Sequence, residues 1–297
     1  MSRTIVVGLD GSPESLAAAD WAAREALRTD AHLRVVHAWQ WHPYIYAPLA
    51  GVAVPAPQDD PQREWAERLP HETATHLAAV HPGLSVSAER VAEQPVTVLL
   101  AMAEDAELLV LGSRGLSGVA GFLTGSVGQA VVARSRTPVV LVRAAEGSEA
   151  VHEIRHVVLG LDLEHSDASV IEFAFEAAAR RTADLRVVHG WSLPAHYGYS
   201  GATDAVTEAD LLAEAQRRLT DVLHPWREKF PCVQVHEQAV VGGAGPHLVD
   251  ASRDAELVVV GRRRRQTPVG THIGPVTQAL LHHSAAPVAV VPHEQRS

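Results

Sequence analysis

The chain repeats its own sequence, and this duplication limits what it can fold into more than any other feature. Four segments occur twice, as the pairs 6–10 and 158–162, 33–39 and 185–191, 106–112 and 255–261, and 137–142 and 286–291. The first two pairs share an offset of 152 residues and the last two an offset of 149. A period of this length indicates a duplicated domain rather than a solenoid repeat. The second copy has therefore lost three residues between its second and third strands.

The repeat predicts two modules of ordinary domain size. We expect them to span residues 1–146 and 153–293, with the polar stretch Ala144–His152 as the linker. In each copy, short runs of β-branched residues alternate with longer segments of helical periodicity, which indicates βαβ units and a parallel sheet buried on both faces. The predicted fold class is α/β, with two tandem, doubly wound, Rossmann-like five-stranded sheets of strand order 3-2-1-4-5.

The element boundaries follow from the same patterns. Strands are predicted near 4–9, 33–39, 84–91, 107–112 and 137–142, and near 155–161, 185–191, 233–240, 256–261 and 286–291. Helices of the first copy are predicted near 13–29, 60–80, 96–105 and 126–135, the first with Ser12 as N-cap. The fifth strands, Val139–Val142 and Val288–Val291, would be sheet edges. Because edge strands invite pairing, we expect the modules to form an intramolecular pseudo-dimer, and a homodimer is a further option.

Composition argues against several classes of function. The formal net charge of −10 disfavours a nucleic-acid partner, because phosphate backbones are held by clustered lysines and arginines. The single cysteine, Cys232, cannot form an internal disulfide, which favours a reducing cytoplasm. Residues 1–3 lead directly into the first strand, so we expect no signal segment. No uninterrupted apolar stretch approaches the length of a membrane span, so we expect a soluble protein.

A glycine-rich loop follows the fourth strand of the first copy. Two residues separate Gly112 from Gly115, and nine more residues precede Gly125-Ser126-Val127, which opens a helix. Glycines let the backbone approach an anion, and the free N–H groups and dipole of a helix start attract phosphate. The loop is not a Walker P-loop, because the only lysine, Lys229, lies elsewhere, and it lacks the G-x-G-x-x-G spacing of dinucleotide sites. Arg114, its one side-chain cation, points either to solvent or to phosphates.

The pattern Gly112-x2-Gly115-x9-Gly125-Ser126, together with Val7-Gly8-Leu9-Asp10 and Thr137-Pro138-Val139, resembles the universal stress protein family in its tandem two-domain form. The resemblance covers nearly the whole chain. It implies an ATP site in the first module, with Asp10 near the ribose and an associated metal ion, and the backbone of Ala38 at the adenine.

The same resemblance implies the rest of the first site. Gly112 and Gly115 would lie beside the ribose and phosphates, and 125–127 around the terminal phosphates. The residues expected to line this site are Gly8, Asp10, Ala38, Leu111, Gly112, Arg114, Gly115, Gly125, Ser126 and Val127. A Mg²⁺ or Mn²⁺ ion would be held mainly by phosphates and water, with Asp10 acting through water at most.

The second copy departs from this pattern. Its loop reads 261–265, GRRRR, followed by Gly274-Pro275-Val276, so Arg264 replaces Gly115 and Pro275 replaces Ser126. Proline removes a donor N–H, and an arginine resists a positive-φ turn. The arginines either attract phosphate or form a solvated, charge-balancing loop. We expect a degenerate or altered site, whose matching residues are Asp162, Gly190, Gly261, Gly274 and Val276.

Three classes of function remain open at this point. No nucleophile and base stand at a recognisable motif spacing, which favours a binding and regulatory protein with at most weak ATP hydrolysis. The alternatives are a slow metal-dependent ATPase or nucleotidyl-transfer enzyme using Asp10, and a nucleotide-free assembly module. His37 and His189 lie on repeated strands, so we expect them to be structural. The aromatic segment Trp39–Tyr46 is predicted to be a loop that packs against the protein, flanks an adenine ring or lies in the contact between modules.

Overall fold

The computed structural model describes residues 3–39, 44–47, 52–55, 61–113, 126–144, 156–191, 205–264 and 273–294. The strands in these ranges are β1 Thr4–Leu9, β2 His32–Ala38, β3 Tyr44–Ala47, β4 Val52–Pro55, β5 Val86–Val91, β6 Leu108–Gly112, β7 Val139–Val142, β8 His156–Gly160, β9 Asp184–Trp191, β10 Val235–Val241, β11 Ala255–Arg264 and β12 Val288–Glu294. The α-helices are α1 Pro13–Thr29, α2 Pro61–Val80, α3 Pro95–Glu104, α4 Ser126–Arg134, α5 Ala168–Arg181, α6 Ala205–Lys229, α7 Ala244–Ala251 and α8 Pro275–His283, and a 3₁₀ turn spans Ser252–Asp254.

Ten of the strands form one sheet, in the order β10-β9-β8-β11-β12-β7-β6-β1-β2-β5. Each half of this sheet has the strand order 3-2-1-4-5, with all neighbours inside a half parallel. The predicted fold class is confirmed. In the first half the winding reverses between β1 and β6, and in the second between β8 and β11. In doubly wound folds, ligands bind beyond the carboxyl ends of the strands at such a point, so these two positions are the ones to inspect for a site.

The two modules are joined edge to edge. Strands β7 and β12 pair in antiparallel orientation, with Val139 opposite Val290 and Leu141 opposite Val288. These are the two strands that the sequence predicts to be edges. Their pairing satisfies the open hydrogen-bonding groups of both edges within one chain, and the outer strands of the described sheet are β5 and β10.

In helix α1, local sequence signals determine where the helix begins and ends and which face packs on the core. The Ser12 hydroxyl accepts a hydrogen bond from the Ser15 amide at 3.2 Å, and Pro13 occupies the first turn. The helix ends at Thr29 and is capped by Asp30, which has a positive φ of 51°. Its buried face consists largely of alanines, which let the helix approach the sheet closely. The predicted N-cap and the predicted span 13–29 are both confirmed.

Apolar residues fill both faces of the sheet. One buried cluster lies beneath α1, α2, α5 and α6, and the other beneath α3, α4, α7 and α8. Each cluster contains residues of both modules, including Val140 with Ala289 on one face and Leu141 with Val290 on the other. The hydrophobic core therefore runs through the junction rather than stopping at it.

A buried ion cluster adds to the contact between modules. The Arg181 side chain on α5 is 1% exposed and binds Glu25 of α1 at 2.5 Å. Glu256 lies 3.6 Å from the Arg181 Nε and 2.9 Å from Arg28 of α1. The Arg181 guanidinium also lies 5.7 Å from the ring centre of Trp21. The first helix of each module is thus fixed to the other module by paired charges.

The hairpin of β3 and β4 contradicts one sequence prediction. Residues 44–47 pair with 52–55 in antiparallel register, whereas the aromatic segment ending at Tyr46 was expected to be a loop. Its composition of Tyr, Ile and Val favours strand.

Candidate functional site

The predicted first site lies where three adjacent strands end. Gly8 of β1 is opposite Val36 of β2 on one side and Leu111 of β6 on the other, so Asp10, Ala38 and Gly112 follow at the same edge of the sheet. The N-terminus of α4, Ser126, follows the loop that leaves β6. Arg114, Gly115 and Gly125 lie outside the described residues.

The aspartates that end the first strand of each module also hold their own turns. The Asp10 Oδ1 accepts hydrogen bonds from the Ser12 amide at 3.0 Å and from the Ser12 hydroxyl at 2.5 Å. The Asp162 Oδ1 accepts from the Glu164 amide at 3.0 Å, and its Oδ2 lies 3.0 Å from the His165 Nδ1. A turn-forming role thus coexists with any role in ligand binding. Asp10 is exposed, so its carboxylate can also reach a ligand or a metal-bound water.

Two of the predicted glycines, Gly112 and Gly190, are needed for close packing, whether or not they also contact a ligand. A Cβ at Gly112 would lie 2.6 Å from the Ser15 nitrogen and 2.7 Å from the Glu14 carbonyl carbon, both backbone atoms of α1. A Cβ at Gly190 would lie 2.5 Å from the Ala244 nitrogen at the start of α7. By contrast, no atom lies within 4 Å of a Cβ built at Gly274. Glycine at 112 and 190 therefore lets a helix start close to a strand end, whereas 274 borders open space.

The repeated histidines have one structural role in both modules. The ring Nδ1 of His37 lies 2.9 Å from the Leu9 carbonyl oxygen, and that of His189 lies 2.9 Å from the Leu161 carbonyl oxygen. Both rings are buried. Each joins the end of the first strand to the second strand, which confirms the structural interpretation.

Two residues beside the first site, Trp65 and Ser113, were not predicted from the sequence. The Trp65 ring of α2 covers the turn at Gly11, where a Cβ would lie 2.4 Å from the ring, and meets His37 edge to face at 5.5 Å. Ser113 is buried directly after Gly112, and its hydroxyl has no hydrogen-bond partner within the described residues. No repeat or motif marks either one, because Trp65 aligns with Glu214 and Ser113 with Arg262 in the second copy.

In the second module, a cavity of about 1050 Å³ occupies the corresponding position. It opens at the carboxyl ends of β8, β9 and β11 and is closed on one side by the start of α8. The five residues predicted for this site all line it, namely Asp162, Gly190, Gly261, Gly274 and Val276. Arg134 and Arg136 of the first module also line it, which the sequence could not indicate because they are far away along the chain.

The arginine run of the second copy is strand, not loop. Strand β11 continues to Arg264, and Arg262, Arg263 and Arg264 pair with 292–294 of β12. The prediction of a loop from residue 262 onward was wrong. Instead of forming a positive-φ turn, residues 262–264 continue the parallel pairing of β11 with β12. Arg264 binds Glu294 at 3.1 Å, and Arg265 lies outside the described residues.

Arg262 is buried and spans the two modules. It is 7% exposed and donates to the carbonyl oxygens of Ala133, at 2.9 Å, and Ser135, at the end of α4. Burial, with a smaller contribution from Arg264, lowers the pKa of Arg262 to about 10, so the guanidinium stays charged at neutral pH. Reciprocally, Arg143 of the first module donates to the Leu281 carbonyl at 3.0 Å, near the end of α8. A cation at a helix C-terminus is favourable to the helix dipole.

The described residues contain no group of three or more His, Cys, Asp or Glu side chains placed to hold a metal ion. Among the described helices, none combines the length and the apolar character needed to cross a membrane.

Comparison with known proteins assigns the family. The universal stress protein family matches residues 1–143 and again residues 153–292. A universal stress protein of Mycobacterium tuberculosis is 32% identical over 291 residues, which make up 96% of this chain and 96% of that protein. A universal stress protein of Mycolicibacterium smegmatis is 30% identical over 299 residues, covering 97% of this chain and 96% of that protein.

The fold has a counterpart among solved structures. The crystal structure of a universal stress protein from Archaeoglobus fulgidus covers 98% of this chain, and 99% of that chain is matched, with a TM-score of 0.68 and 18% sequence identity. At that identity the likeness concerns the fold alone. From the two family matches and the full-length relatives, the chain belongs to the universal stress protein family, in its tandem two-domain form.

Proposed function

We propose that this chain is an ATP-binding regulatory protein whose first module binds the nucleotide. Bound ATP would change the conformation of the protein or its affinity for a partner, with little or no turnover. The observation that carries the proposal is that Asp10, Ala38 and Gly112 lie at the carboxyl ends of three adjacent strands, at the point where the winding of the first sheet reverses.

The chemistry of this edge suits a nucleotide. The exposed Asp10 carboxylate can accept hydrogen bonds from ribose hydroxyls, and the backbone at Ala38 can meet the edge of an adenine. Ser126 is exposed at the first turn of α4, where free N–H groups and the positive end of the helix dipole favour phosphate oxygens. Gly115 and Gly125 would add backbone amides. A Mg²⁺ or Mn²⁺ ion would supply charge neutralisation to the phosphates.

A regulatory rather than enzymatic role is supported by the side chains at this edge. The Asp10 carboxylate accepts hydrogen bonds from the Ser12 amide and the Ser12 hydroxyl, which form its turn. The side chain proposed to contact the ribose is therefore one that already holds the turn in place, which suits a binding role. We place the function in the cytoplasm, where a protein with one cysteine needs no oxidising environment.

Identification of co-purified nucleotide tests the proposal. The protein is purified without added nucleotide and denatured, and the released small molecules are separated by anion-exchange chromatography. We expect ATP in the supernatant. ADP alone would favour the ATPase alternative. No released nucleotide, combined with no rise in melting temperature on adding ATP, would contradict nucleotide binding and leave the assembly function as the better account.

A further inference from the structure

Trp65, in the first turns of α2, is an exposed aromatic ring at the edge of the first site. It is 41% exposed, and among the residues whose side chains the structure describes it is the only Phe, Trp or Tyr that is exposed rather than buried or half-buried. Tryptophan is on average well buried, because removing its large ring from water is favourable. An exposed indole beside a candidate site is therefore a surface that a ligand can usefully cover.

The ring is held in place by the ends of two strands. A Cβ at Gly11 would lie 2.4 Å from the Cζ2 atom of Trp65 and 2.9 Å from its Cη2 atom, so the glycine leaves the space that the ring fills. The ring also meets the imidazole of His37, with 5.5 Å between the ring centres and 78° between the planes. Because these contacts restrict the rotation of the side chain, little conformational entropy remains to be lost when a ligand packs on it.

A purely structural role for the ring is disfavoured by the comparison of the two modules. The ring Nδ1 of His37 and that of His189 each lie 2.9 Å from the carbonyl oxygen at the end of the preceding first strand. The residue aligned with Trp65 in the second module is Glu214. The two strand ends are thus connected in the same way with and without a tryptophan at this position, so the connection does not require the ring.

The contacts of Trp65 place it beside the residues proposed to bind the nucleotide. Gly11 directly follows Asp10, whose exposed carboxylate is proposed to meet the ribose. His37 directly precedes Ala38, whose backbone is proposed to meet the adenine. Trp65 therefore lies against the immediate neighbours of both residues, at the place where the base and the sugar of a nucleotide would join.

We infer that the exposed part of the Trp65 ring is a wall of the first site and stacks on the base of the bound nucleotide. The inference rests on the proposed function, and it adds the side chain that contacts the base. Every nucleobase has a flat aromatic face, so stacking favours a nucleotide over an inorganic polyphosphate without selecting among bases. Selection of adenine would be left to hydrogen bonds with the backbone at Ala38.

Calorimetric titration of the full-length protein with ATP tests this role. The binding event to follow is the one that Gly115→Arg removes, since that event belongs to the first module. Trp65→Leu keeps an apolar side chain against Gly11 but has no flat ring, and it should weaken ATP binding about tenfold or more. Trp65→Phe, which keeps an aromatic face, should retain the wild-type affinity to within about threefold. Urea denaturation checks that both variants are folded.

Two controls separate stacking from other effects. Leu27, which is also 41% exposed, lies near the other end of α1, so Leu27→Ala removes exposed apolar surface away from the site and should leave ATP affinity unchanged. Inorganic triphosphate, which offers no ring, should bind the wild type and Trp65→Leu equally. Fluorescence gives an independent readout, because stacking of a base quenches indole emission. ATP should quench the wild type more than Trp65→Phe, although calorimetry shows that this variant still binds.

The outcomes distinguish this inference from the proposed function. Wild-type ATP affinity in a folded Trp65→Leu protein would overturn the inference and leave the proposed function standing. So would an equal loss of affinity for ATP and for inorganic triphosphate, or a loss in Trp65→Phe as large as that in Trp65→Leu. Absence of ATP binding by the first module of the wild type would contradict the proposed function itself, and the inference with it.

Discussion

At the residue scale, Gly112 illustrates how one position can serve packing and a candidate site together. The glycine pattern was sufficient to locate the edge of the sheet where the site is proposed. It could not reveal that α1 approaches Gly112 so closely, because that contact joins residues distant in sequence. A glycine in a predicted ligand loop is thus not in itself evidence of ligand binding. Its substitution can lower the stability of the fold, and only a folded variant reports on ligand binding.

Substituting Gly112 with alanine should destabilise the protein with or without nucleotide. The added Cβ meets α1 backbone atoms at 2.6 and 2.7 Å, which cannot rotate away. We expect a loss of about 1–3 kcal/mol in the free energy of unfolding, measured by urea denaturation. Gly243→Ala is the control, since no atom lies within 4 Å of its Cβ position, and it should cost less than about 1 kcal/mol. Equal losses in the two variants would refute the packing argument.

His293 should make stability depend on pH. Burial lowers the pKa of His293 below its ordinary value of 6.5, Arg263 and Arg262 lower it further, and Asp167 partly opposes them. The unfolded chain therefore takes up the proton first as the pH falls. This residue's contribution to folding is retained above about pH 6.5 and is lost as the pH falls towards the lower, folded-state pKa.

The measurement is the free energy of unfolding of wild type and His293→Gln across that range. The variant should lose less stability on acidification than the wild type. His224→Gln, an exposed surface histidine whose side chain is 71% exposed, should keep the wild-type slope. If His293→Gln also keeps that slope, then His293 is not the group responsible.

At the element scale, α4 connects the two candidate sites. Its first residue, Ser126, belongs to the predicted phosphate end of the first site, and its C-terminal carbonyls accept from Arg262 at the wall of the second module's cavity. The helix itself was predicted from the sequence to within one residue at its end. The cap at the C-terminus of α4 was not predicted, because its hydrogen-bond donor, Arg262, lies on β11 of the other module.

Removing the cap should destabilise the contact between modules. Arg262→Ala leaves the Ser135 and Ala133 carbonyls without their donor, and we expect a loss of about 1–3 kcal/mol in the free energy of unfolding. Arg263→Ala, next along the same strand and exposed, should change it by no more than about 0.5 kcal/mol. Wild-type stability in Arg262→Ala would mean that the cap contributes nothing.

The element boundaries show where local patterns are sufficient. Strands buried on both faces and the capped helix α1 were predicted within about two residues, because periodicity and capping are local signals. The predictions failed at the β3–β4 hairpin and at the last three residues of both β11 and β12, which end at Arg264 and Glu294. These strands are defined by their partners, because β3 pairs with β4 and the ends of β11 and β12 pair with each other.

At the scale of the whole molecule, the duplication has produced one continuous sheet with two different candidate ligand-binding edges. The repeat predicted two modules and identified the edge strands that join them. The repeat did not predict the charged contacts at the junction. Three arginines form them, and in the other module the aligned residues are not arginine: Arg181 aligns with Thr29, Arg143 with Pro292 and Arg262 with Ser113. The interface is therefore asymmetric in its polar contacts, although the backbone repeats.

The buried ion cluster should hold the two modules together as one cooperative unit. Arg181→Ala leaves Glu25, whose side chain is 7% exposed, without its main counter-charge. We expect about 3–5 kcal/mol of destabilisation in equilibrium unfolding. Arg180→Ala removes only a partly exposed pair with Glu176 and should cost less than about 1 kcal/mol. Similar losses in both variants would contradict the role assigned to Arg181.

The proposed function depends most directly on the loop of the first module. Gly115 aligns with Arg264 of the second copy, so Gly115→Arg converts the first loop to the second one's residue. Calorimetric titration with ATP compares this variant with the wild type, and urea denaturation checks that both are folded. We predict that the wild type shows a binding event that Gly115→Arg has lost, leaving only what the second module contributes. An unchanged affinity and stoichiometry in a folded Gly115→Arg protein would contradict ATP binding at this loop.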